Sequence, residues 1–251
     1  MPYLFDANAM VGKLAGEPGG SDAAGLVAAL ARVGVGEAVV SHVRAWQNDP
    51  KAGNRQLVVD LASTPCLRPC WVVLPDTCGE LGGIDVFLAA ATGAGVVATR
   101  AFPADHGYRL DGADFAPVLA GLERAGLPLI VDADQTSWAH LEAVAARYRA
   151  LTFVACTIGY RALRRVAGVL ARTDNILVDL SYLGTHLGLE WLVERFGPGR
   201  LLFGTGAPRR DPADAVTRLL WSELPAEAIS RIGAGNLRQL VGTPTPAVEV
   251  S

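Results

Sequence analysis

The feature that most constrains this chain is a regular alternation. Eight short apolar runs, Tyr3–Asp6, Glu37–His42, Arg68–Leu74, Gly95–Phe102, Leu127–Asp132, Thr152–Cys156, Ile176–Asp179 and Leu201–Gly204, recur along 251 residues. Their length and near-continuous apolar character suit strands covered on both faces. Between them lie segments with apolar positions at helical spacing: Asp22–Val33, Asn54–Ala62, Ile84–Thr92, Phe115–Ala125, Trp138–Tyr148, Tyr160–Leu170, Leu189–Phe196 and Pro212–Glu223. A strand that returns through a helix to a further strand builds a parallel sheet. The expected fold class is therefore α/β, and eight repeats fit a (β/α)8 TIM barrel better than an open doubly wound sheet, which periodicity alone leaves available.

Gly34, Gly93, Gly126, Asn175 and Gly197 follow or end the helical patterns, as expected for short turns closed by a left-handed cap. The length suits one such barrel over residues 1–242, with the proline-containing 243–251 expected as a loose tail. A hydrophobic fraction of 51% supplies a large core. A net charge of −3 without a long basic run argues against nucleic acid as a partner, and the absence of an ~18-residue apolar stretch argues against a membrane span. No secretory leader pattern opens the chain, so the expected location is cytoplasmic. Cys66, Cys70, Cys78 and Cys156 are too few for a disulfide scaffold and are read as reduced thiols.

Barrels of this kind work at the C-terminal ends of their strands. The residues there are Asp6 and Asn8; His42 and Arg44; Pro75 and Asp76; Arg100 and His106; Asp132 and Asp134; Cys156; Asp179, Ser181 and Tyr182; and Gly206, Arg209 and Arg210. No nucleophile elbow, phosphate loop or dinucleotide fingerprint accompanies them, and no cofactor is expected.

Three segments resemble the amidohydrolase superfamily. Phe5-Asp6-Ala7-Asn8-Ala9-Met10-Val11-Gly12 is similar to its opening Asp-x-His-x-His strand. Leu201-Leu202-Phe203-Gly204-Thr205-Gly206-Ala207-Pro208 is similar to its eighth strand, Phe-Gly-Ser-Asp-x-Pro, and Gly235-Asn236-Leu237-Arg238-Gln239-Leu240 to its closing Gly-Asn-x-x-x-Leu. The resemblance points to the branch that includes metal-dependent decarboxylases and lactone hydrolases. It implies a metal site whose histidine positions fall here on Asn8, Met10, Asp132 and Cys156, and whose eighth-strand aspartate falls on Gly206. Among these, only Asp132 and Cys156 are good donors; an amide oxygen, a thioether and a glycine do not assemble a hydroxide-generating centre. The family's aspartate also accepts the proton of the attacking water, so Gly206 removes a base as well as a ligand. No metal is expected.

Several side chains admit two readings. Asp132 and Asp134 suit acid/base work if the strand continues, and equally suit a turn or a helix cap. His42 and Arg44 suit acid/base and carboxylate-clamping roles, or a satisfied structural histidine. Arg100, a cation on a buried strand, needs an anionic ligand or a partner such as Asp6 or Asp132. Arg209 and Arg210 either bind an anion or pair with Asp211 and Asp214 in solvent. The expectation is a hydrolase or lyase that acts on a small anionic molecule without the usual metal. Asp132, His42 and Asp179 are its catalytic candidates; Asp6, Asn8, Arg44, Arg100, Cys156 and Arg209 are its substrate contacts. The alternative is a non-catalytic descendant that serves as a binding or interaction scaffold. A homo-oligomer is open on either reading.

Overall fold

The computed structural model describes residues 2–15 and 20–242; the expected tail at 243–251 lies outside the described residues. Among the described residues, nine strands form one sheet: β1 (Leu4–Lys13), β2 (Gly20–Ser21), β3 (Val35–His42), β4 (Leu67–Val72), β5 (Ala98–Ala101), β6 (Leu129–Asp132), β7 (Phe153–Cys156), β8 (Ile176–Asp179) and β9 (Leu201–Leu202). Their order is β2-β1-β3-β4-β5-β6-β7-β8-β9. Only β1 and β2 are antiparallel, through Gly12 opposite Ser21; the other neighbours are parallel. The sheet is strongly curled. Beyond β9, backbone bonds run from Ala7 N to Phe203 O, from Gly206 N to Asn8 O and from Met10 N to Ala207 O, each 2.8 Å.

The helices are α1 (Ala23–Ala31), α2 (Val43–Gln47), α3 (Pro50–Leu61), α4 (Ile84–Gly93), α5 (Ala116–Ala125), α6 (Trp138–Arg147), α7 (Leu163–Leu170), α8 (Gly188–Phe196), α9 (Pro212–Leu220), α10 (Ala226–Ser230) and α11 (Asn236–Val241). Asp22, Asp49, Ser137 and Asp211 cap four of them by accepting backbone N–H groups, the role such residues play at helix starts. Helix α3 begins at Pro50, earlier than its apolar pattern suggests, because Asp49 caps it and proline's missing N–H costs nothing in the first turn. At five residues, α2 is too short to show a period. Gly126 (φ +63°) closes α5 in the left-handed conformation, whereas α4 runs through Gly93 and the turn falls on Gly95 (φ +67°).

Alternation along the strands divides the core. Leu129, Val131, Phe153, Ala155, Ile176 and Val178 pack with the helices, while Phe5, Ala7, Val39, Cys70, Ala98, Ile130, Val154, Cys156 and Leu202 form a second cluster with Ala234 and Leu237. Strand β1 extends well past Asp6. The polar Asp6 and Asn8 interrupt the apolar pattern yet are buried within it, and a register shift between Asp6 and Ala9 marks the spot. The four cysteines are free.

Candidate functional site

Two residues along from the apolar interior positions of β5, β6 and β7, the side chains on the same face are Arg100, Asp132 and Cys156. They join Asp179 at the end of β8 and Asn8 on β1. All are almost fully buried, so each polar atom needs a protein partner. The partners form a closed ring. Arg100 Nη1 donates to Asn8 Oδ1 at 2.9 Å and Nη2 is bonded to Asp132. Asp132 accepts from Thr157 Oγ1 at 3.2 Å, while the Thr157 N–H donates to Asp179 Oδ1 at 3.2 Å. Asn8 Nδ2 completes the ring by donating to Asp179 Oδ2 at 2.9 Å, and it also reaches Ser181 Oγ at 3.2 Å. Thr157 achieves its double contact from φ +60°, a conformation a β-branched residue seldom adopts. Gly204 lets the backbone pass Asp179, since a Cβ there would lie 2.4 Å from Oδ2.

Asp6 stands beside this ring and ties β1 to the segment after β9. Its Oδ1 accepts from Asn8 N at 2.8 Å and Thr205 N at 2.9 Å, its Oδ2 is bonded to Thr205 Oγ1, and that oxygen accepts from Ala207 N at 3.1 Å. Burial outweighs these donors and pushes the Asp6 carboxyl up to about 6. Burial likewise raises Asp179, against hydrogen bonds from Ser181 and Asn8. It also lifts the Cys156 thiol well above its ordinary value, which keeps it neutral and unreactive. For Arg100, burial disfavours the charge, but the adjoining Asp132 carboxylate more than offsets it and holds the guanidinium charged. Its Nε is buried with no partner among the described residues.

Above the ring lies a recess of about 10 Å³, room for a single water, lined by residues including Asn8, Arg100, Thr157, Tyr182 and Arg209. Its only charged lining residues are the two arginines. One side is closed by stacking: Arg209 sits 5.1 Å from the Trp46 ring, Trp46 stacks on Phe102 at 5.2 Å, and Arg100 lies 5.3 Å from Phe102. Trp46 Nε1 donates to Asp105 Oδ2 at 2.6 Å, which Gln135 Nε2 also reaches at 2.9 Å.

The structure thus brings together Asp6, Asn8, Arg100, Asp132, Cys156 and Asp179, with Arg209 at the rim. Of the partners open to Arg100 in sequence, it takes Asp132 rather than Asp6. His42 is engaged elsewhere: its Nδ1 accepts the Arg44 N–H at 2.9 Å to cap α2, and its Nε2 lies 3.2 Å from Asp60 Oδ2. This pattern assigns the ring proton to Nε2. Burial lowers the His42 pKa, against the pull of Asp60. Arg44 is exposed, Asp134 is exposed because β6 stops at Asp132, and Arg210 pairs with Asp214 at 3.1 Å. Reading the sequence missed Thr157, whose left-handed backbone carries no sequence signal, and Trp46 and Phe102, which meet only in the fold. Thr205 was visible as a motif residue, but its bond to Asp6 was not.

Among the described residues, no group of three or more His, Cys, Asp or Glu side chains is placed to hold a metal ion. No described helix is long and apolar enough to cross a membrane.

Parallel strands alternating with helices, and a polar layer at their C-terminal ends, define an α/β protein with a curled parallel sheet, and its structural neighbours include TIM-barrel proteins. An uncharacterised TIM-barrel protein from Bordetella bronchiseptica superposes with a TM-score of 0.77 over 95% of this chain and 98% of its own, at 16% identity. A 5-carboxyvanillate decarboxylase from Novosphingobium aromaticivorans, complexed with manganese and 4-hydroxy-3-methoxy-5-nitrobenzoic acid, gives 0.80 over 96% of each chain at 11% identity. A 2,6-dihydroxybenzoate decarboxylase from Rhizobium gives 0.75 over 96% and 99% at 12% identity. At such identities the likeness is one of fold. The chain belongs to the amidohydrolase family, whose sequence profile matches residues 14–243. No curated protein matches it in sequence.

Proposed function

We propose that this protein is a closed (β/α)8 barrel of the amidohydrolase family that takes a small organic anion at the C-terminal mouth without a metal centre. Closure is supported by the three backbone bonds between β1 and the segment after β9. The anionic ligand rests on one observation: both charged residues lining the recess over the polar ring, Arg100 and Arg209, are cationic. Two guanidiniums on one recess suit a carboxylate, which accepts paired N–H donors. The small aromatic acids that the decarboxylase neighbours bind or are named for fit the same chemistry. Metal independence is supported by donor chemistry. Asn8, Met10 and Gly206 stand at positions where the family's ligands fall, and Arg100 already occupies Asn8 Oδ1 and Asp132.

Chemistry at the mouth starts from saturated carboxylates. Asp132 is held by Arg100 and Thr157, and Asp179 by Asn8 and Thr157. A ligand carboxylate that draws Arg100 away releases Asp132 as the acid/base for a hydrolytic or carbon–carbon lyase step. His42 has no part in this step, because both its nitrogens serve α2 and Asp60. The second reading, a binding scaffold without catalysis, is favoured by the recess itself, whose roughly 10 Å³ leaves no room for an organic ligand until Trp46 and Arg209 move.

Calorimetric titration with acetate, malonate and benzoate tests the proposal. Wild type is expected to bind at least one of them, and Arg209→Ala to weaken that binding about tenfold, ~1.4 kcal/mol. Failure of wild type to bind any, or an unchanged affinity in Arg209→Ala, overturns the anion site. Elemental analysis showing stoichiometric metal in the purified protein overturns the metal-independent reading.

A further inference from the structure

The ring contains one cation and a surplus of carboxylates. Asn8, Arg100, Asp132, Thr157 and Asp179 come from β1, β5, β6, the turn after β7, and β8, and the hydrogen bonds that join them close on themselves through the guanidinium of Arg100. An ion placed between Asn8 and Asp132 would need their oxygens at ~2.0–2.3 Å. Those oxygens are taken by Nη1 and Nη2. A divalent ion would also have to sit against a fixed positive charge in a site that is 3% exposed at Arg100, where little water screens the repulsion.

We propose that Arg100 is the built-in cation of this mouth: its guanidinium braces β1, β5, β6 and β8 through Asn8 and Asp132, and by standing between them keeps divalent metals out. The inference rests on the metal-independent reading above and deepens it by naming what took over the cation's structural role. Arg100 is here a positioning residue. Its planar fork spans two acceptors on different strands, a geometry that a lysine ammonium at the same position does not reproduce. Removing it leaves Asn8 Oδ1 and Asp132 without the donors that hold them, and two buried carboxylates, Asp132 and Asp179, without a cation.

The test reads metal content and melting temperature rather than activity. Wild type, Arg100→Ala, Arg100→Lys and Arg100→Ala/Asp132→Asn are incubated with Mn²⁺ or Zn²⁺, desalted and assayed for bound metal. Wild type is expected to retain none. Arg100→Ala is expected to melt roughly 10 °C lower, the scale for an unpaired buried charge in a chain of this size, and to take up about one equivalent with partial recovery of Tm. Adding Asp132→Asn is expected to abolish the uptake. Arg100→Lys is expected to exclude metal but to melt below wild type. A folded Arg100→Ala that binds no metal, or that melts like wild type, overturns the inference, as does uptake that survives Asp132→Asn. Should Arg100→Ala not fold alone, refolding with and without Zn²⁺ decides: recovery only with the ion supports the inference, and no recovery with either ion overturns it. Stoichiometric metal in wild type instead defeats the metal-independent reading, so the two failures are distinguishable.

Discussion

The interior of the curled sheet has two storeys that the same strands build in different materials. The lower, with Phe5, Val39, Ala98, Ile130, Val154 and Leu202 against Leu237, is apolar and sealed. The upper, two residues further along β5 and β6, replaces Ala98 with Arg100 and Ile130 with Asp132 and is held by directed hydrogen bonds. Burial is almost equal in the two, so exposure does not distinguish them. The difference lies in how each fails. An apolar layer loses energy in proportion to volume removed, whereas a polar one loses the compensation of a charge that stays behind. Stability alone does not require the upper layer to be ionic, since apolar replacements of buried ion pairs are often neutral or better. The ionic character of this layer therefore supports the anion site proposed above.

The largest effect that would break this comparison is Asp132→Ala, expected to cost ~3–5 kcal/mol in urea unfolding by stranding Arg100. The double variant Arg100→Met/Asp132→Leu is expected to recover most of that loss while abolishing anion binding. Equal losses in the single and double variants would mean that the pair itself stabilises the fold. In the lower storey, Ile130→Ala is expected to cost ~2–5 kcal/mol and leave anion affinity unchanged, as calorimetry on the variant checks.

The pH dependence sharpens the comparison further, because only the upper storey titrates. Asp6 in the folded protein is raised from 3.8 to about 6 by burial, so the folded state holds its proton more tightly than the unfolded state. Its contribution to stability therefore rises as pH falls from about 7 through 6 towards 4, by roughly 2–3 kcal/mol at most. Asp179, shifted in the same direction, adds to the trend. Urea unfolding at pH 7 and pH 5 should show the lower pH to be more stable, and Asp6→Asn should flatten the difference. A wild-type protein less stable at pH 5, with no change in the slope on Asp6→Asn, counts against burial as the governing effect. Smallest of all is Thr157→Gly, where relief of the left-handed backbone, ~1–2 kcal/mol, opposes loss of the hydroxyl bond to Asp132, ~1 kcal/mol. Its net change is expected within ~1 kcal/mol of zero, and Thr157→Val, which keeps the strain, is expected to be the worse of the two in the same unfolding assay.

Much of this architecture was legible without coordinates. Eight apolar runs separated by helical stripes specify strands of a parallel sheet, because side-chain period is a local property that survives in any tertiary setting, whereas the order of those strands was left open between a barrel and a doubly wound sheet. Strand ends and caps were read less well: β1 runs on to Lys13 where polarity suggested an end at Asp6, and α2 is too short to have a period. The positions of Asn8, Arg100, Asp132 and Asp179 at strand ends also followed from the sequence, which placed a polar layer at one end of the sheet. Which of these side chains bond to one another did not. His42 looked as suitable as Asp132 until the fold turned it towards Asp60 and α2, and Arg100 had two carboxylates open to it. The choice depends on angles about the curled sheet that relate residues from 22 to 171 positions apart, and on Thr157 adopting a backbone conformation that its side chain disfavours. The sequence by itself determined the strands, the helices between them and the end at which polar groups collect; the tertiary structure alone decided the order of the strands and that those groups close into a ring around Arg100, because hydrogen bonds depend on distance and direction in space, and residue spacing carries neither across separate strands.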